Sequence, residues 1–203
     1  TAIACGDLPL VTHEKEFTSI TKQPDTTYEV IYTITVQNLG GTVGEYSLFD
    51  EPQFDGDVLI NSAGYSSDIP SGSVLPPTVP AGGWQLANAA SINAGETQIY
   101  TLTLNVKLDL SGNAPAGDGI YTACGTSNPA APVAGEGLYN ISHLDRGADG
   151  SIDEIDDACG DLPFVTHEKE FTRITTHLNS SYRTYYTITV HTCEGAVGEY
   201  SLF

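Results

Sequence analysis

The sequence predicts an all-β protein: an immunoglobulin-like antiparallel β-sandwich, arranged as a tandem repeat with an acidic, calcium-type loop at the module joint. Three observations predict it. Threonine, serine, glycine and valine are abundant, methionine is absent and no long amphipathic helical periodicity occurs, a composition suited to a secreted β protein. Two long stretches alternate apolar and polar residues with a period of two, as half-buried antiparallel strands do. The chain also repeats itself. Residues 5–49 align without a gap on residues 159–203, an offset of 159 − 5 = 154, with 29 of 45 positions identical. Residues 1–158 are thus expected to form one complete module and residues 159–203 the first third of a second copy. That copy stops in mid-module, leaving about three strands that need further sequence or another chain to complete them. The lack of methionine at residue 1 suggests a longer precursor.

Taken in order, residues 11–20 read as an edge strand. Residues 27–38 follow, with Tyr28, Val30, Tyr32, Ile34 and Val36 on one face and Glu29, Thr33, Thr35 and Gln37 on the other. In the second copy the inward set becomes Tyr182, Thr184, Tyr186, Ile188 and Val190, so the pattern survives substitution. Leu39-Gly40-Gly41 is a turn into a short strand at 44–49. Residues 50–56 read as loop, 57–63 as strand, and 65–83 as a long connection containing Pro70, Pro76, Pro77 and Pro80. A brief pairing at 84–87 precedes a turn at Asn93-Ala94-Gly95. Residues 97–110 make the strongest strand, with Tyr100, Leu102, Leu104, Val106, Leu108 and Leu110 inward. Residues 117–132 are loop around Cys124, and 137–144 a last strand. Seven or so short strands with no helix between them indicate two packed antiparallel sheets.

The acidic joint at residues 144–163 holds Asp145, Asp149, Asp153, Glu154, Asp156, Asp157 and Asp161 against a single cation, Arg146. With Gly150 at the sixth position of a twelve-residue calcium loop, Asp145 falls at position 1, Asp149 at 5, the Ser151 carbonyl at 7, Asp153 at 9 and Asp156 at 12. Ile152 takes position 8, where an apolar residue tucks the loop onto the body. Gly147 at position 3 offers no side-chain ligand and Asp156 replaces the usual bidentate Glu, which predicts a weak Ca2+ site. A solvated acidic linker is the plain alternative.

Acids outnumber bases 26 to 7, giving a net charge of −19. Such a surface repels nucleic acid and anionic membranes, and no apolar run is long enough for a membrane-spanning helix. The four cysteines, Cys5, Cys124, Cys159 and Cys193, lack the spacing of a zinc site and read as disulfide partners in an oxidising compartment. Within the complete module the free partners are Cys124 and Cys159, which are expected to pair. Cys5 would then bond a cysteine of a preceding module. Cys193, in place of the turn residue Leu39, has no evident partner.

The segments YTITVQNLGG at Tyr32, INAGETQIYTLTLNV at Ile92 and the repeated CGDLP at Cys5 and Cys159 resemble a conserved repeat domain found in tandem in very large secreted and cell-surface proteins of bacteria. EGLYN at Glu136, leading into the acidic stretch, is similar to a subgroup whose repeats end in a calcium-type loop; relatives tend to carry Asn or Asp at the position of Gly147. The resemblance implies a sandwich fold, an extracellular setting and a role as stalk, adhesin or fibre, with neighbouring copies as partners. It implies no catalytic activity.

No nucleophile, metalloprotease or phosphate-loop motif occurs, and no enzyme activity is expected. His13 and His167 read as half-exposed edge-strand residues. Lys15 and Lys169 recur at one position, most simply as surface lysines, with an intramolecular Lys–Asn or Lys–Asp crosslink as the remote alternative. Asn140 and Asn179 stand in N-glycosylation sequons; Asn140 alternates with Leu138 and Leu144 and could point inward. A competing function, a carbohydrate- or ligand-binding module, would use Trp84 and the proline-rich connection as its platform, and requires an exposed Trp84.

Overall fold

The computed structural model describes residues 7–68, 72–163, 165–177 and 181–192. Its strands are β1 (Val11–Lys22), β2 (Tyr28–Asn38), β3 (Gly44–Pro52), β4 (Val58–Ser67), β5 (Ser73–Leu75), β6 (Trp84–Ile92), β7 (Thr97–Leu108), β8 (Asn140–Arg146), β9 (Glu154–Ala158), β10 (Val165–His177) and β11 (Ser181–Thr192). No helix occurs among the described residues. The chain divides into two compact units, residues 1–162 and 163–203.

The first unit is a β-sandwich. One sheet has the order β1-β2-β7-β4-β5 and the other β6-β3-β8-β9, with every pairing antiparallel. Strands β1-β2-β7-β4 take the A-B-E-D order of an immunoglobulin sheet and β3-β8-β9 the C-F-G order. The period-two faces close the core between them. Val30, Tyr32, Ile34 and Val36 of β2 and Tyr100, Leu102, Leu104 and Val106 of β7 are fully buried, as are Tyr46, Leu48, Ile92 and Leu144 of the second sheet. A buried phenol needs a partner. Tyr46 finds Gln98 and the Tyr100 hydroxyl at 2.6 Å, and Tyr32 donates to the Leu138 carbonyl.

Several boundaries differ from the sequence reading. β3 continues through Pro52, so Asp50, expected in a loop, is a buried strand residue. β7 ends at Leu108, because Asp109 turns its amide to the Asp57 carbonyl; Leu110 is left exposed rather than inward. β9 was not expected at all. Its Glu154-Ile155-Asp156-Asp157 run has low strand propensity, yet an edge strand needs only one backbone partner and tolerates charge. Pairing of Asn140 with Ala158 through Leu144 with Glu154 supplies that partner.

The second unit contains the hairpin β10–β11. Val165 opposes Thr192 as Val11 opposes Asn38, and the register slips between Phe171 and Arg173 as it does between Phe17 and Ser19. Phe171, Tyr186 and Ile188 are exposed here, whereas Tyr32 and Ile34, the counterparts of the last two, are buried.

Candidate functional site

The acidic stretch is the turn of the β8–β9 hairpin. Asp145, buried at the end of β8, spreads its carboxylate over the turn: Oδ1 accepts the Asp149 amide at 3.0 Å and Oδ2 the Gly150 amide at 2.9 Å. Gly150 adopts φ 91°, a conformation open to glycine. Asp149 accepts the Ser151 amide at 2.9 Å, and Asp153 accepts the Arg146 amide at 2.7 Å. Thus Asp145, Asp149, Ser151 and Asp153 are gathered around one turn. Asp156 is not with them. It sits in β9 opposite Ser142, and its carboxylate accepts the Lys15 amide of β1 at 2.6 Å. Strand pairing from Glu154 onward fixes its direction, so the twelfth position of the calcium pattern is engaged elsewhere. Ile152 is half exposed rather than tucked onto the body. Among the described residues no three His, Cys, Asp or Glu side chains converge on a point that would hold a metal ion.

Beyond this turn the chain, to Leu162, is held within the first unit. Cys124 and Cys159 form a disulfide closing a separation of 35 residues. Asp161 accepts the Cys124 amide at 2.9 Å and the Tyr121 hydroxyl at 3.1 Å, while the Leu162 amide donates to Tyr121 Oη at 2.9 Å. Glu136, also buried, accepts the amides of Gly125 and Ser127 at 2.9 and 2.7 Å and so shapes the Cys124 loop. Every member of the Cys159-Gly160-Asp161-Leu162 run has a place on the sandwich: Gly160 lies against Phe17, where a Cβ would meet the ring at 2.2 Å. The same motif at the start of the chain is open. Leu162 is 1% exposed and Leu8 82% exposed. Cys5 and Cys193 lie outside the described residues.

A second cluster lies between the sheets. Lys15 is not a surface lysine; its side chain and that of Asp50 are both 0% exposed and form an ion pair. Asn140 is also fully buried, and its Nδ2 donates to the other Asp50 oxygen at 3.2 Å. That burial leaves no room for a sugar on Asn140 in the folded module, which corrects its reading as a candidate glycosylation site. Asn179 lies outside the described residues. Alternation points Asn140 inward, while Asp50 falls where the sequence predicts a loop.

His13 is buried rather than half exposed, since β9 and β8 cover β1. Its Nε2 pairs with Ser142 Oγ at 3.0 Å, and Nδ1 lies 3.8 Å from Glu154. Burial holds His13 below its ordinary value of 6.5, with Glu154 opposing that shift. The unfolded chain therefore takes up a proton near 6.5 that the folded chain resists, and stability should fall as pH drops below that value. Urea unfolding of the wild type and of His13→Gln checks this: the wild type should lose stability more steeply on acidification than the variant. Trp84 is 2% exposed and donates to the Pro76 carbonyl at 3.0 Å, so it offers no platform to a ligand.

No known protein-family model and no curated protein matches the chain. Among solved structures it is similar to the N-terminal domain of PorA, at 14% identity over 73% of this chain and 94% of that one, with a TM-score of 0.39. Among the described residues, no helix is long and apolar enough to cross a membrane.

Proposed function

We propose that this chain is part of a structural repeat array, an extracellular bacterial fibre or adhesin stalk in which each module begins by docking its CGDLP joint onto the module before it. The observation that carries this reading is the contrast between the two joints: Leu162, three residues after the bridged Cys159, is buried and its amide donates to Tyr121, while Leu8 of the first copy stands open. An open copy of an otherwise buried motif fits a preceding module of the same kind. The resemblance to tandem repeats of bacterial surface proteins and the strong negative charge agree with that setting.

Calcium belongs to the same proposal. Asp145, Asp149, Asp153 and the Ser151 carbonyl, gathered around the β8–β9 turn without converging, would have to draw in around the ion to hold it. A bound ion there would limit bending between neighbours. Small-angle scattering of a chain of several complete modules tests the reading. The expected result is a maximum dimension that rises by a constant step per module, with EDTA making the rod more flexible and calcium restoring it. A dimension that grows as a flexible coil with or without calcium would contradict the proposal.

A further inference from the structure

We infer that the module closes an amide bond between Lys15 Nζ and Asn140 Cγ, with Asp50 carrying the protons. The inference stands apart from the fibre reading and rests on three side chains from three strands, β1, β3 and β8. Asp50 holds the amine on one carboxylate oxygen and the Asn140 amide on the other. Nucleophile and electrophile are thus side by side on one acid, in an interior where all three side chains are out of water. Holding reactants in this way removes the entropic cost of bringing them together. Asn140 Oδ1 is buried with no hydrogen-bond partner. Buried polar atoms are almost always satisfied, so the unpartnered carbonyl marks Asn140 as a group whose hydrogen bonding the surrounding side chains leave incomplete.

Burial favours the free amine, while the aromatic face beside it favours the ammonium. Lys15 Nζ lies 5.2 Å from the centroid of the buried Tyr32 ring, which Phe17 meets edge-on at 5.5 Å and Phe54 stacks at 6.5 Å. Burial pushes the Lys15 ammonium down from its ordinary value, against the opposing attraction of Asp50. Passing its proton to Asp50 leaves two neutral groups where two charges would be costly.

The step balances without a co-reactant. Lys15 Nζ, as the neutral amine, attacks Asn140 Cγ and forms the N–C bond. Asp50 carries a proton from Nζ to Nδ2, the Cγ–Nδ2 bond breaks, and ammonia leaves, taking up the remaining ammonium proton. Nothing is oxidised or reduced. Asn140 rather than Asp50 is the acceptor, because attack on Asp50 would consume the group that carries the protons, whereas a primary amide whose nitrogen is protonated in place has a leaving group.

The second copy supplies an internal control. Lys169 lies 4.6 Å from the Tyr186 ring, and Phe171 meets that ring edge-on, repeating the Lys–Tyr–Phe arrangement. The aligned positions of Asp50 and Asn140 fall past Phe203, since 50 + 154 = 204. A polypeptide of residues 1–203 alone should therefore lose one ammonia and not two.

Intact mass of the reduced, denatured chain decides the matter, with peptide mapping to place the bond. The expected result is a mass one ammonia below that of the sequence and a branched peptide joining Lys15 to Asn140. Lys15→Met, Asn140→Ala and Asp50→Asn should each return the sequence mass; the Asp50→Asn result counts only for protein whose circular dichroism matches the wild type. A folded wild type at the full sequence mass would overturn the inference. So would loss of one water with Lys15 joined to Asp50, or loss of ammonia without the branched peptide.

Discussion

Removing the Cys124–Cys159 bond, by Cys124→Ala with Cys159→Ala, is expected to lower stability by about 4 kcal/mol. Closing a loop of 35 residues restricts the unfolded chain by about that amount in the loop-entropy treatment. The loss should not stay local. The Cys124 amide holds Asp161, and Asp161 together with Tyr121 holds the start of the second copy. With the bridge gone, that run keeps its hydrogen bonds, the packing of Gly160 against Phe17 and the burial of Leu162, but no covalent tie. Chemical denaturation reads the stability difference, and limited proteolysis should show new cleavage near residues 159–163 before the sandwich itself is cut.

Leu162→Ala should cost about 2–5 kcal/mol, the range for truncating a buried leucine whose cavity collapses incompletely, while Leu8→Ala should change stability by less than about 0.5 kcal/mol. The two residues occupy the same place in the same motif and differ in cover, one 1% and the other 82% exposed. Because the chemistry of the substitution is identical, the difference reports the neighbour and not the residue. Placing another complete module before Thr1 should convert the second, nearly silent substitution into one that resembles the first. Denaturant midpoints of the four chains check both halves.

How much of this was legible in the sequence follows from which signals are local. The alternation in β2 and β7 placed eight core residues, because a buried face on one side and polar contacts on the other leave a period of two. The pairing of Cys124 with Cys159 came from counting cysteines within one repeat. The end of β3, the whole of β9 and the burial of Lys15, Asp50 and His13 were not legible. They depend on which strands from distant parts of the chain meet, and β8 and β9 cover β1 from the other sheet. The acidic spacing that suggests a calcium loop is a one-dimensional pattern, and it does not register that strand pairing begins at Glu154 and commits Asp156 to Lys15. Asp50 carried no signal of its own. In the sequence it is one acid among 26; only the sandwich puts it between an amine and an amide.

The docking of each joint onto the preceding module is tested most directly by amide hydrogen exchange at Leu8 and Leu162, in this chain and in a chain extended by one complete module before Thr1. Leu162, whose amide donates to Tyr121, is expected to be protected in both, and Leu8 to exchange freely in the first and become protected in the second. Free exchange at Leu8 in the extended chain would contradict it, and would reduce the repeat to modules strung together without a built joint.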